Sequence, residues 1–230
     1  MLVEHPSLEI LREPLTSYLM KGLEAQQVGN RSFSATALEI YAEAVWERVG
    51  EVDNCLDAMR IAIEEISNLG KPSPGATAAV LYRYHYENYL LRLSGLLDRA
   101  HRLVGVVVGL SSSKLNSNRT NATVLTAVEK RHPKVHNSLL KLRAVQADKA
   151  QLRNSVAHAT AYSTRELGLF TAAERLPKSP LDRTHIKGMM QAHFTTEVGW
   201  LGVLAVQSEA AIFLLLDELT PIICNRASAA

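Results

Sequence analysis

The chain has 230 residues, of which 47% are hydrophobic, 21% charged and only 6% aromatic, with a formal net charge of +2. That length supports one good-sized core, or at most two small ones, and one domain is the simpler reading. The near-balanced charge excludes a nucleic-acid binder that works by bulk field, and the scarcity of aromatics disfavours β-sandwiches and base-stacking platforms. Two cysteines, Cys55 and Cys224, match no metal or redox spacing and read as free buried thiols of a reducing compartment. Residues 1–6 carry an early acid, Glu4, and no apolar run, so the expectation is no secretory leader and a cytoplasmic location. The most apolar stretches, 103–110 and 200–216, are respectively too short to span a bilayer and interrupted by Glu209; both read as core helix, with no membrane contact.

In chain order, residues 7–27 have a helical pattern broken at Pro14, and 28–34 read as a loop. Thr36 followed three residues later by Glu39 makes a capping box. After it Leu38, Tyr41, Val45, Val49, Val52, Leu56, Met59, Ile63 and Ile66 recur at helical spacing until Gly70. From about residue 76 a second long helix carries Tyr82, Tyr86, Tyr89, Leu93, Leu96, Ala100, Leu103 and Val107 as a near-heptad stripe. Residues 111–121, rich in Ser, Asn and Lys, read as a connection, 122–131 as a short helix, and a further helix begins around 132–134 and runs past His158. Gly168, Pro177 and Pro180 mark 163–184 as irregular, and a last apolar helix ends before Pro221. No strand-like alternation and no internal repeat is present. The expectation is a single all-α domain over 1–230, a bundle of long antiparallel helices with a motif-bearing core at about 36–162 and a C-terminal packing helix at about 185–220.

Residues 148–162 stand out. On a helix, Leu152, Val156 and Ala159 form a narrow apolar seam, while Asn154 and His158, four apart, are neighbours pointing away from it. Arg153 sits at the flank, about 140° from His158 around the axis, so only the length of the arginine or a second copy of the helix brings both to one ligand. Arg131 and His136 repeat the Arg-x4-His spacing without the Asn, with Pro133 between them.

Arg153-Asn154-x3-His158 after a long tyrosine-bearing helix resembles the HEPN superfamily, all-α domains with this signature on a later helix. The run Tyr82, Tyr86, Tyr89, Leu90, Leu91, Arg92, Asp98, Arg99 is similar to the corresponding helix of one bacterial HEPN group, and the resemblance covers roughly 76–162. Some HEPN toxins carry a tyrosine two residues after the histidine; that position is Thr160 here, and the nearest tyrosine is Tyr162.

The resemblance implies metal-independent RNA cleavage by attack of the 2′-hydroxyl on its own phosphate. His158 suits the proton transfer, since imidazole titrates near neutrality. Arg153 offers a permanently charged planar fork to the phosphoryl oxygens, and Asn154 can orient the imidazole or the phosphate. The resemblance also implies a homodimer that brings two Arg/His pairs to one groove, and a toxin or phage-defence effector held by an antitoxin or another defence protein. Arg92, Arg99 and Arg102, along one side of their helix, are candidate contacts to RNA phosphates. His132 and His136 have i,i+4 spacing but no third ligand beside them, so no metal and no cofactor is expected. The competing reading is a non-catalytic module of the same fold that binds nucleotide, RNA or a protein partner.

Overall fold

Thr36 and Glu39 do what their spacing implies. Glu39 N–H donates to Thr36 Oγ1 at 3.2 Å and Thr36 N–H donates to the Glu39 carboxylate at 2.8 Å, satisfying the first donors of the long helix that follows. The computed structural model describes residues 1–69, 76–149, 156, 162, 164–176 and 183–229. Its helices are α1 (Arg12–Gln27), α2 (Ala37–Ser67), α3 (Ala78–Val107), α4 (Ser112–Leu115), α5 (Thr120–Glu129), α6 (Pro133–Val145), α7 (Arg165–Arg175) and α8 (Arg183–Ala229). Short 3-10 turns at Leu2–Glu4, Pro6–Leu11 and Ala147–Lys149 join them, and among the described residues no strand occurs. The chain is all-α, as its periodicity predicts. It divides into two compact units, Met1–Asn54 with Leu96–Ala144 and Ala210–Ala230, and Cys55–Gly95 with Val145–Glu209. The three long helices α2, α3 and α8 contribute to both.

In the first unit the N-terminal turns bury Leu2, Leu8 and Leu11. Asp53 on α2 accepts the main-chain N–H of Leu2 at 3.0 Å and of Val3 at 3.4 Å, which pins the start of the chain. Glu39 also binds α1, accepting from Lys21 Nζ at 2.7 Å and Ser17 Oγ at 2.5 Å. Lys21 first, then the Ser17 hydroxyl and the Thr36 N–H, holds the Glu39 carboxyl down at about 2. Helix α1 is not broken at Pro14, contrary to the sequence reading. Pro14 lies in its first turn, where a missing N–H costs no helical bond, and the break falls before Arg12. Helix α3 ends on Gly109 at φ +79°, with Gly109 N–H on Val106 O and Leu110 N–H on Gly105 O. This Schellman turn needs glycine for its left-handed backbone and because the Arg226 guanidinium occupies the place of a Cβ.

Helix α8 does not stop before Pro221, as the sequence suggested, but continues to Ala229. A proline inside a helix costs about 3 kcal/mol. Leu219 and Ile223 on either side are fully buried, worth about 1.5–3 kcal/mol each, and Arg226 beyond them donates to Val107 O and lies 5.0 Å over the Tyr41 ring. Packing of the continuation outweighs the proline. By length and composition alone α8 could cross a membrane, with a stretch of mean hydropathy 1.7 that is 28% buried; the core helix of a bundle passes the same test.

In the second unit, three successive pairs link α3 to α8. Tyr82 stacks on Phe194, Tyr86 Oη donates to Glu197, and Tyr89 Oη donates to Leu201 O. Residue numbers rise together on both helices, so this pair runs parallel, an arrangement that the long α4–α7 connection permits. Cys55 Sγ, buried and not in a disulfide, donates to Arg92 O at 2.9 Å; Cys224, in the first unit, is also free of a disulfide but only half-buried. Within 163–184, expected to be irregular, residues 165–175 form α7. Thr164 Oγ1 caps it by accepting Leu167 N–H at 3.1 Å, and Leu167 and Phe170 bury its apolar side. Gly168, taken as a breaker, is tolerated at a helical position where its missing side chain meets nothing.

Candidate active site

Arg153, Asn154 and His158, the predicted catalytic set, lie outside the described residues. So do Leu152 and Ala159 of the apolar seam; Val156 is described, helical and half-buried. The helix from Pro133 ends at Val145 and passes into the 3-10 turn Ala147–Lys149, rather than running unbroken toward the signature. The described residues on either side of the signature, Lys149 and Tyr162, are tied to the same stretch of α3.

That stretch is built by the heptad of tyrosines. Tyr82, Tyr86 and Tyr89, spaced four and three apart, face inward and are at most 1% exposed. Their rings are core, as the spacing suggests, and their hydroxyls are placed individually. Tyr89 Oη donates to Leu201 O at 2.8 Å and Tyr86 Oη to the Glu197 carboxylate at 3.4 Å. Tyr82 Oη is buried beside the Tyr162 hydroxyl, and His193 Nε2, whose ring lies 5.8 Å from that of Tyr82, is buried with no hydrogen-bond partner among the described residues. Burial pushes all three phenols up, and for Tyr82 and Tyr86 the neighbouring Tyr162 hydroxyl and Glu197 carboxylate add to it. They are protonated donors throughout the physiological range.

Tyr162 is 5% exposed and held on three sides. Its ring stacks on Tyr86 at 4.1 Å and 16°, its N–H donates to Glu87 Oε1 at 2.6 Å, and its carbonyl accepts from Arg83 Nε at 3.0 Å. Burial pushes its phenol up as well. On the other flank, Lys149 Nζ donates to Tyr86 Oη at 3.2 Å and sits 5.9 Å from the centre of the same ring. Two turns of α3, Tyr82 to Tyr89, thus carry every contact described here to both flanks of the signature. The same side of the unit holds Thr164 and α7, whose Glu174 accepts the Ala79 N–H at the start of α3.

Of the arginines expected to meet phosphates, Arg92 is exposed in the second unit, with Nε 3.4 Å from Asn88 Oδ1. Arg99 and Arg102 are half-buried on the part of α3 that belongs to the first unit. Among the described residues, no group of three or more His, Cys, Asp or Glu is arranged to hold a metal. Sequence reasoning did not single out Arg83, Glu87, Lys149 or Glu197. The first two could have been found from the tyrosine heptad, since they follow Tyr82 and Tyr86 directly; Glu197 and Lys149 carry no local signal, because their partner Tyr86 is 111 and 63 residues away in the chain.

The family model HEPN_Cthe2314-like HEPN matches residues 27–190, which include the tyrosine stretch of α3, both flanks and the whole Arg-Asn-x3-His signature. No curated protein and no solved structure matches the chain.

Proposed function

The chain belongs to the HEPN_Cthe2314-like HEPN family, and on that premise we propose that it is an endoribonuclease that cleaves RNA without a metal ion, with Arg153, Asn154 and His158 as its catalytic set. The observation that carries this reading is that the family match spans the complete Arg-Asn-x3-His signature. In the reaction the 2′-hydroxyl gives up its proton to an imidazole, O2′ bonds to the adjacent phosphorus, and the bond from phosphorus to O5′ breaks. A proton returned to O5′ leaves a 5′-hydroxyl and a 2′,3′-cyclic phosphate. His158 serves the proton transfers, Arg153 meets the charge that builds on the phosphoryl oxygens, and Asn154 orients the imidazole or the phosphate.

A homodimer is part of this reading. It would supply Arg153 and His158 from two copies to one groove, and exposed apolar surface on α8 supports it. Trp200, Val203 and Val206 recur at helical spacing and are 65%, 52% and 66% exposed, surface that a second copy would cover. Light scattering at micromolar concentration is expected to give twice the monomer mass. The biological setting that fits is a cytoplasmic toxin or defence effector restrained by a partner protein, and growth arrest on expression of the parent but not of His158→Ala tests it.

The decisive experiment incubates purified protein with mixed RNA, with and without EDTA, and analyses the new ends. Cleavage that survives chelation and leaves cyclic phosphates is expected. RNA left intact in both conditions, but bound, replaces the enzyme by the non-catalytic binding module.

A further inference from the structure

Lys149 and Tyr162, the described residues that flank 150–161 in sequence, meet one another through α3. Lys149 reaches Tyr86 with its ammonium, and Tyr162 reaches the same residue with its ring. Tyr86 passes the connection on to α8 by donating to Glu197. Glu87 and Arg83, one helical turn apart, take the N–H and the carbonyl of Tyr162, so both polar groups of that peptide residue are bound by side chains. Most buried main-chain N–H groups are paired within secondary structure; here a carboxylate and a guanidinium on a core helix hold one residue from both sides. Charge-assisted bonds of this kind are about twice as strong as neutral ones.

We propose that Glu87, Arg83 and Tyr86 are positioning residues that clamp both ends of the signature segment and thereby set the placement of His158 and Arg153. The inference rests on the reading of those two residues as catalytic. The clamp touches no substrate; it acts through Tyr162 and Lys149. Tyr162 stands four residues after His158, so a change in its fixation is transmitted over a short length of chain, and misplacement of a catalytic group by about 1 Å can cost about 100-fold in rate.

The test uses the full chain and three substitutions. Glu87→Ala removes the acceptor for Tyr162 N–H, Glu87→Gln keeps an acceptor oxygen, and Tyr86→Phe keeps the ring while removing the hydroxyl between Lys149 and Glu197. On RNA, Glu87→Ala is expected to lower kcat by about 10- to 100-fold with KM unchanged, and Glu87→Gln to restore most of it. Should Glu87→Ala fail to fold, Tyr86→Phe carries the same comparison with a smaller loss. In parallel, the His158 ring signal is followed by NMR in each variant without RNA. It is expected to shift in Glu87→Ala and Tyr86→Phe and to return in Glu87→Gln. Parent-like kcat and an unmoved His158 signal in Glu87→Ala overturn the clamp, as does a Glu87→Gln variant as impaired as Glu87→Ala. If the parent itself leaves RNA intact, the ribonuclease reading falls, while the NMR comparison still decides whether the clamp sets His158.

Discussion

Asp53 and Glu87 perform the same chemical task in the two units. Each is a carboxylate on a long helix that accepts a main-chain N–H from far away in sequence: Asp53 from Leu2 and Val3, Glu87 from Tyr162. What differs is the segment being tied. Asp53 holds the start of a chain segment whose Leu2, Leu8 and Leu11 are all buried, so its bonds add to a fixation that apolar burial already supplies. Glu87 holds the outgoing end of the segment that carries Arg153, Asn154 and His158, with Arg83 on the carbonyl of the same residue. One type of bond therefore serves stability in one unit and, on the proposed reading, geometry in the other, and the two uses are separable by measurement.

The largest expected effect lies in the signature itself. His158→Ala removes the proton-transfer group and is expected to depress RNA cleavage by about 10²- to 10⁴-fold with little loss of melting temperature. Arg153→Lys keeps the charge but loses the fork, and a comparable loss is expected there. His136→Ala, in the second Arg-x4-His match, is expected to cleave as the parent does. A parent-like rate in both His158→Ala and Arg153→Lys would remove the functional half of the comparison. Next in size is Asp53→Ala, which removes the acceptor of the buried Leu2 N–H and of the part-buried Val3 N–H. Such a loss costs about 1–3 kcal/mol, to be read as a lower midpoint in urea, with kcat of the folded protein unchanged. A fall in kcat would mean that the two carboxylates are not distinct in their roles.

A smaller effect comes from Glu39. Its carboxyl is held at about 2 against an ordinary 4.5, so the folded state releases the proton more readily than the unfolded chain does. The stabilisation is present above about 4.5 and is lost as pH falls from there toward 2. Melting temperature is expected to drop across that window, and the drop is expected to shrink in Glu39→Gln and in Lys21→Met, the latter because Lys21 is the largest cause of the shift. An identical acid profile in parent and variants would show that other carboxyls govern the acid limb.

Local chemistry was legible in the sequence and distant chemistry was not. The capping box of Thr36 and Glu39 could be read because both partners stand three residues apart, while the bonds from Ser17 and Lys21 to the same carboxylate span 22 and 18 residues and leave no pattern. The burial of Tyr82, Tyr86 and Tyr89 followed from their spacing, but the partner of each hydroxyl depended on how α8 runs beside α3. Proline and glycine misled in three places for one reason: breaker residues act through an N–H or a side chain that the local setting does not always use. Pro14 sits where no bond is lost, Pro221 is overruled by Leu219 and Ile223, and Gly168 lies inside a helix fixed by Thr164, Leu167 and Phe170. The signature was legible as residue types at a spacing; its side-chain geometry belongs to residues outside those described.

The smallest expected effect concerns the arginines of α3. If Arg92, Arg99 and Arg102 meet RNA phosphates, each neutralises one charge and releases condensed counterions, so binding weakens with salt at a slope of about 0.7 per contact on single strands. Arg92 is exposed, its side chain making a long contact to Asn88, whereas Arg99 and Arg102 are half-buried. Their stems give up solvent contact to the helix surface, which leaves the heads less reach toward a strand. Arg92→Ala is therefore expected to flatten the salt dependence by nearly one contact, and Arg99→Ala and Arg102→Ala by less, with every RNA sequence affected alike. The measurement is fluorescence anisotropy of a labelled single strand between low and physiological salt, with His158→Ala as background so that cleavage does not intervene. Slopes equal to that of the background in all three would assign these arginines to a solvated helix face, and RNA affinity to other parts of the chain.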